Sequence, residues 1–258
     1  MRLNVKNLIF WLAIIAAVVA LHTVRRNSTM RGIETVVKGN DICLLTQSDV
    51  DSIILASFPK LLNTDIKRVE KKKIRQLLKS HPYVAEAEVG MTTGGKLKVD
   101  VIQRVPVVRM FFQGREFYIS EQGTYMPLCA KHYCDVLVGN SEYSEPNIKK
   151  LATMRLGDKE TDSLSSYSLE SVWTLAKFIH DNSQYDGVFD QLTVNDKGDL
   201  VLTPKLGNTI VIVGDTTLLD KKFENLWTFY DKGVKKMGWD TYVSINLKYK
   251  NQLVCAKK

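Results

Sequence analysis

The sequence is poor in the residues and spacings that carry catalysis. Histidine occurs four times in 258 positions, at His22, His81, His132 and His180, and no pair of them stands in an HExxH. No serine occupies a nucleophile-elbow pattern, and no glycine-rich stretch has Walker or dinucleotide spacing, so hydrolase, nucleotide and nicotinamide chemistry have no motif to rest on. His81 precedes a proline at an expected helix end. His180 sits beside Asp181 at another, where an imidazole suits the helix dipole. The four cysteines, Cys43, Cys129, Cys134 and Cys255, form no CxxC pair, which argues against a structural zinc site. Cys129 and Cys134, with His132 between them, leave three readings open: inert thiols, a disulfide closing a small loop, or a thiolate–imidazole metal pair. There is no aromatic-basic RNA-binding pattern, zinc-finger spacing or recognition helix, and hence no support for nucleic acid as partner. Internal repeats and low-complexity tracts are also lacking.

What is present is an ordinary globular composition, 45% hydrophobic and 25% charged, with a net charge of +8. Such a balance suits an anionic membrane surface or an acidic partner. One long apolar run stands out, from Leu8 through Val24. As a helix it would be about 26 Å long, the short end of what spans a bilayer. Trp11 would sit at one interface, and Arg25 and Arg26 would snorkel at the other. The competing reading is a cleaved signal peptide with Arg2 and Lys6 as its basic start. The length of the run and the arginines directly after it favour an anchor. Basic residues flank the run almost evenly, so charge alone does not orient it.

The remainder reads as two units. In the first, residues 25–105, Gly32–Lys38 alternates as a strand. Thr46-Gln-Ser-Asp49 has the form of a capping box before a helix. A second helix over residues 68–80 carries Ile74, Leu77 and Leu78 on one side and ends at His81-Pro82. A hairpin follows. With a three-residue loop at Thr93–Gly95, Met91 faces Leu97, Val89 faces Val99 and Ala87 faces Val101, so that the apolar faces agree. Glu88 and Lys98 would then be diagonal neighbours. The expected order is β-α-α-β-β. In the second unit, residues 106–258, short strands are expected near 107–112, 116–120, 124–128 and 135–138. A helix over 168–181 and three strands near 191–195, 200–203 and 209–213 follow. The longest helix is expected after Asp215 or Thr216 as N-cap, with Leu219, Phe223, Leu226, Trp227, Tyr230, Val234 and Met237 inward and Gly238 at its end. Strands at 242–249 and 252–256 close the chain. The fold class is α+β, with two helices packed on a mixed β domain.

Several segments, in order, resemble the FtsQ/DivIB cell-division family. They are Ser80-His-Pro-Tyr-Val84, Leu97-Lys-Val-Asp-Val-Ile-Gln-Arg-Val-Pro-Val107, Phe117-Tyr-Ile-Ser-Glu-Gln-Gly123, Ile212-Val-Gly214 and Val243-Ser-Ile-Asn-Leu-Lys-Tyr249. The similarity covers nearly the whole chain. It departs from the family pattern at Gln103, Ser120, Asn246 and Lys248, where acids or an arginine are usual.

The resemblance implies a cytoplasmic tail (residues 1–7), a single transmembrane helix (8–24), a POTRA-like domain (25–105) and a β domain (106–258) outside the cytoplasm, with the N-terminus inside. It implies a non-catalytic divisome scaffold in the cytoplasmic membrane at the division septum, with no cofactor and no small-molecule substrate. Its partners would be small bitopic proteins of the FtsB and FtsL type, and its role to help localise and regulate septal peptidoglycan synthesis. FtsB binding is expected along the last strand, at Gln252, Leu253, Val254, Cys255 and Ala256, with Lys248 and Tyr249 in the basic and aromatic contact positions. A strand at a sheet edge offers unpaired backbone groups to an added strand. The rival functions are a POTRA-containing assembly or translocation factor and a membrane-anchored extracytoplasmic enzyme. Outer-membrane assembly proteins, however, usually add a transmembrane barrel, whose long alternating segments are missing here.

Overall fold

A computed structural model describes residues 11–18, 29–39, 44–112, 115–129, 133–140, 167–234, 238, 241–250 and 252–258. Residues 11–18 are helical. Among the described residues, no helix is long and apolar enough to cross a membrane; the ends of the Leu8–Val24 run lie outside them. The chain divides into two compact units, the first ending at Gln103 and the second comprising residues 40–44 and Arg104–Lys258.

In the first unit, β1 (Ile33–Lys38) is followed by α1 (Gln47–Ser57), α2 (Lys71–Lys79), β2 (Val84–Met91) and β3 (Leu97–Gln103), and the sheet order is β1-β3-β2. This is the β-α-α-β-β order expected from the sequence. The capping box forms. Thr46 Oγ1 accepts from Asp49 N at 3.2 Å, and the Asp49 carboxylate accepts from Thr46 N at 3.0 Å. The hairpin register is also the expected one, with Met91 opposite Leu97, Val89 opposite Val99 and Ala87 opposite Val101. Gly95 at φ +80° turns the three-residue loop, a conformation that L side chains resist. Leu97, Val99 and Val101 are fully buried with Ile54, Ile74 and Leu78, so α1 and α2 cover one face of this sheet. One detail differs. Glu88 faces Asp100 directly, and Lys98 reaches Asp100 at 3.2 Å on its own strand. The lysine therefore relieves the like-charge pair from the side of Asp100.

In the second unit, β4 (Pro106–Phe112), β5 (Arg115–Ser120), β6 (Tyr125–Pro127) and β7 (Leu137–Asn140) precede α3 (Tyr167–Asp181). Then come β8 (Phe189–Val194), β9 (Leu200–Pro204), β10 (Ile210–Gly214), α4 (Leu219–Phe229), β11 (Tyr242–Asn246) and β12 (Val254–Lys257). They build one nine-stranded sheet in the order β12-β11-β10-β9-β8-β7-β4-β5-β6. Leu169, Val172, Leu175 and Ala176 of α3, and Leu219, Phe223 and Leu226 of α4, share a core with Met110, Leu192, Leu202, Val211 and Ile245 of the strands. Both helices thus lie on the same face of the sheet. Trp173 Nε1 donates to Ser120 O at 2.9 Å, tying α3 to the end of β5.

The α4 helix corrects the sequence reading. It is shorter than α3, and its N-cap is Leu218, at φ 52° and without a side-chain cap bond. Asp215 instead accepts from the Thr217 backbone at 3.1 Å and from the Thr217 hydroxyl at 2.6 Å, which folds the cap residues into a turn of their own before the helix begins. After Phe229 the chain continues as a π-helical turn, Tyr230–Val234. Trp227 is 42% exposed: it lies at the margin of the buried stripe, its ring edge-on to Tyr185. Gly238 has the left-handed φ of 83° expected of a helix end, while Met237 lies outside the described residues.

The departures at Gln103, Ser120 and Asn246 keep an acceptor oxygen in place. Gln103 is buried, and its Oε1 accepts from Leu45 N at 2.8 Å. A neutral amide avoids the desolvation cost that an ionised acid would carry there. Ser120 Oγ accepts from Thr124 N at 3.1 Å, and Asn246 Oδ1 from Lys248 N at 3.0 Å.

A candidate partner-binding edge and its groove

The last strand is an edge. β12 pairs antiparallel with β11, Val254 opposite Asn246 and Ala256 opposite Ser244. No described strand lies on its other side. The strand alternates: Leu253 and Cys255 pack against the core, whereas Val254 and Ala256 are exposed. The sequence reading began this strand at Gln252. In the structure Gln252 and Leu253 precede it, in the turn after β11, where Gln252 N donates to Tyr249 O at 3.2 Å. The exposed side of β12 thus offers a short, uncharged pair of side chains followed by Lys257 and Lys258.

Beside that turn lies a groove of about 260 Å³, bounded by the start of α4 on one side and Leu247–Lys250 on the other. Lys248 lies against its wall. The stem of Lys248 lies so close over Gly214 that a Cβ there would come within 2.6 Å of Lys248 Cγ. Its ammonium reaches the Asp199 carboxylate at 2.9 Å. That bond to Asp199 raises the Lys248 pKa above its ordinary value. Lys222 bonds Asp215 at 2.7 Å. The hydrogen bonds from Lys222 and Thr217 hold the Asp215 carboxyl down at about 2. Lys221 and Lys250 also line the groove, so its four ammonium groups exceed its two carboxylates. Tyr249, 55% exposed, and Leu218, 59% exposed, add apolar surface at its mouth. A basic groove with two protruding apolar side chains fits an acidic polypeptide that also carries apolar residues.

The structure thus brings Lys248 and Tyr249 next to the turn that leads into Val254, Cys255 and Ala256. It adds Asp199, Asp215, Leu218 and Lys222, which the sequence reading did not connect with the site. Asp199 is 49 positions from Lys248, and no spacing signal links them.

Cys129 and Cys134 do not form the disulfide considered above; both are free and buried. Cys129 Sγ points to Leu44 O at 3.9 Å, and Cys134 N donates to the Tyr118 hydroxyl at 3.1 Å. Burial pushes the Cys134 thiol pKa up, away from the reactive thiolate. His132 lies outside the described residues, and the described residues hold no cluster of three or more potential metal ligands. His180 faces Glu121 at 3.5 Å, far in the chain from either cysteine.

Comparison with known families agrees with the two units. A POTRA-like domain model matches residues 31–102. The model described as FtsQ/DivIB, C-terminal related, matches residues 105–256. No curated protein matches the chain. The second match spans more than half of the 258 residues and includes β12 and the groove. The chain therefore belongs to the FtsQ/DivIB family of generally non-catalytic cell-division proteins.

Proposed function

We propose that this protein is a membrane-anchored divisome scaffold whose β12 edge receives a strand from an FtsB-type partner, with an FtsL-type protein in the same complex. The observation that carries the reading is the position of β12 at the end of the nine-stranded sheet, with the basic groove of Lys248 and Tyr249 alongside. A strand added to β12 would gain backbone hydrogen bonds. Acidic residues flanking that strand would meet Lys221, Lys248 and Lys250. Lysine at position 248 supplies a point charge where an arginine would form a fork, and its bond to Asp199 fixes where that charge sits. The apolar run of residues 8–24 supplies the anchor in this reading, and residues after about 25 lie outside the cytoplasm at the septum.

The test is co-purification from solubilised membranes. Two small bitopic proteins should accompany the full chain. Tyr249→Ala and Val254→Pro should each release them, the second because proline lacks the N–H that a ladder needs. Tyr249 is exposed, so its variant should melt as the parent does. Retention of both partners by both variants would move the interface away from β12.

A further inference from the structure

A basic face on the first unit lies where the chain arrives from its apolar segment. Between Lys60 and Lys79 there are eight lysines and arginines against two acids, Asp65 and Glu70, and all eight are exposed. Two ion pairs form within this stretch, Lys73 with Glu70 at 2.8 Å and Arg68 with Asp65 at 3.8 Å. Three of the lysines, Lys71 to Lys73, occupy the first turn of α2, where the helix dipole disfavours positive charge. Helix stability therefore does not account for them.

Residues 29 and 30, just ahead of β1, are fixed against this stretch. Thr29 bridges Asp65, and Met30 N donates to Thr64 O at 3.1 Å. On one side of that contact is the turn Leu61–Asn63, with Leu62 44% exposed and Lys60 just before it. On the other side is the turn Ile66–Arg68, leading to Lys71. Arg31 and Ile66 both lie over Gly95, which brings Arg31 to the same place. Only residues 25–28 separate Val24 from Thr29, a span of at most about 18 Å even when fully extended.

We infer that this face of the first unit, formed by Leu62, Arg31, Lys60, Lys67, Arg68 and Lys71, rests on the anionic phospholipid surface of the membrane that holds the anchor. The inference rests on the anchor reading proposed above. Given that anchor, the short link keeps the basic face within reach of the headgroups, where the attraction of lysine and arginine for anionic lipid operates within about 10 Å. Leu62, exposed two positions after Lys60, is the side chain placed to enter the interface.

The test uses the full chain inserted in vesicles of phosphatidylcholine alone, or of phosphatidylcholine with phosphatidylglycerol. A membrane-impermeant acylating reagent is applied, and each lysine is read by mass spectrometry. Lys60, Lys67 and Lys71 should react several-fold more slowly in the anionic vesicles, and high salt should remove the difference. Lys197 and Lys257 should react alike in both. Replacing Lys67, Arg68 and Lys71 together by serine should abolish the protection of Lys60. Alkaline extraction of the same vesicles reads the anchor separately. An anchored chain with equal lysine rates in both vesicles overturns the lipid contact and leaves the anchor standing. A chain that alkali releases, but whose Lys60, Lys67 and Lys71 are protected in anionic vesicles beforehand, retires the anchor and supports the contact. Protection of Lys60 that survives the triple substitution also overturns the proposal.

Discussion

Asp199 and Lys248, 49 positions apart, meet at 2.9 Å across the groove beside the last strand. The pair fixes a positive charge that would otherwise sweep a wide arc on its flexible stem. It is exposed, and its contribution to folding is correspondingly small. Its effect falls on the direction in which Lys248 presents its charge.

Gly214 is the support of that arrangement. Its φ is 79°, and a Cβ would press on Lys248 Cγ. Gly214→Val should cost about 1–2 kcal/mol for the left-handed backbone and displace the Lys248 stem. The expected outcome is a modest fall in melting temperature with a larger loss of partner co-purification. Unchanged co-purification would mean that the placement of Lys248 does not matter for binding.

Val99 is fully buried in the first unit. Val99→Asp should destabilise that unit by about 3 kcal/mol or more, since an unpaired charge is forced into an apolar core. Thermal unfolding followed by limited proteolysis would show residues up to about 103 lost first.

His81 gives the first unit a pH dependence. Burial lowers its pKa from 6.5, with Asp49 opposing, and its Nδ1 accepts from Tyr83 N at 3.3 Å. That bond requires an unprotonated nitrogen. A lowered folded pKa means that the unfolded chain takes up the proton first. Stability is therefore complete above pH 6.5 and declines as the pH falls below 6.5 towards the lowered folded value. His81→Asn should flatten denaturant midpoints across that window.

Trp173→Phe removes the donor to Ser120 O while keeping most of the ring. A loss of about 1 kcal/mol is expected, measurable as a shift in the urea midpoint with no change in slope.

The thiols offer a check that needs no substitution. In the native protein, an alkylating reagent should reach the half-buried Cys255 before Cys129 and Cys134. In denaturant without reductant, both Cys129 and Cys134 should be fully labelled.

Local signals in the sequence were enough to identify the first unit. Alternation from Ala85 to Val101, a Gly-Gly turn and the Thr46–Asp49 box each act over a few residues, and together they set the hairpin register and the start of α1. The strands of the second unit were found almost in place, but their order was not. The pairing of β4 with β7, parallel with Val108 opposite Leu137, depends on chain closure that no short window records. The groove was hidden for the same reason, since Asp199, Leu218 and Lys248 converge only once β9, β10 and β11 are side by side. The start of α4 is not legible in the sequence, because Asp215 is a good N-cap that the chain uses in a tighter turn. The exposure of Trp227 is equally hidden, because an apolar residue near the edge of a helical stripe reads like one at its centre.

The parallel pairing of β1 with β3 has a mechanical consequence. The register runs from Ile33 opposite Leu97 to Lys38 opposite Ile102. A pull on the chain ahead of β1, resisted by the second unit beyond β3, loads two neighbouring strands from opposite ends. The six registered pairs then bear the tension in shear, together, instead of parting one by one as they would in an unzipping hairpin. Rupture would require the whole ladder to slip at once. The first unit thus has the strand geometry of a link that transmits force without unfolding.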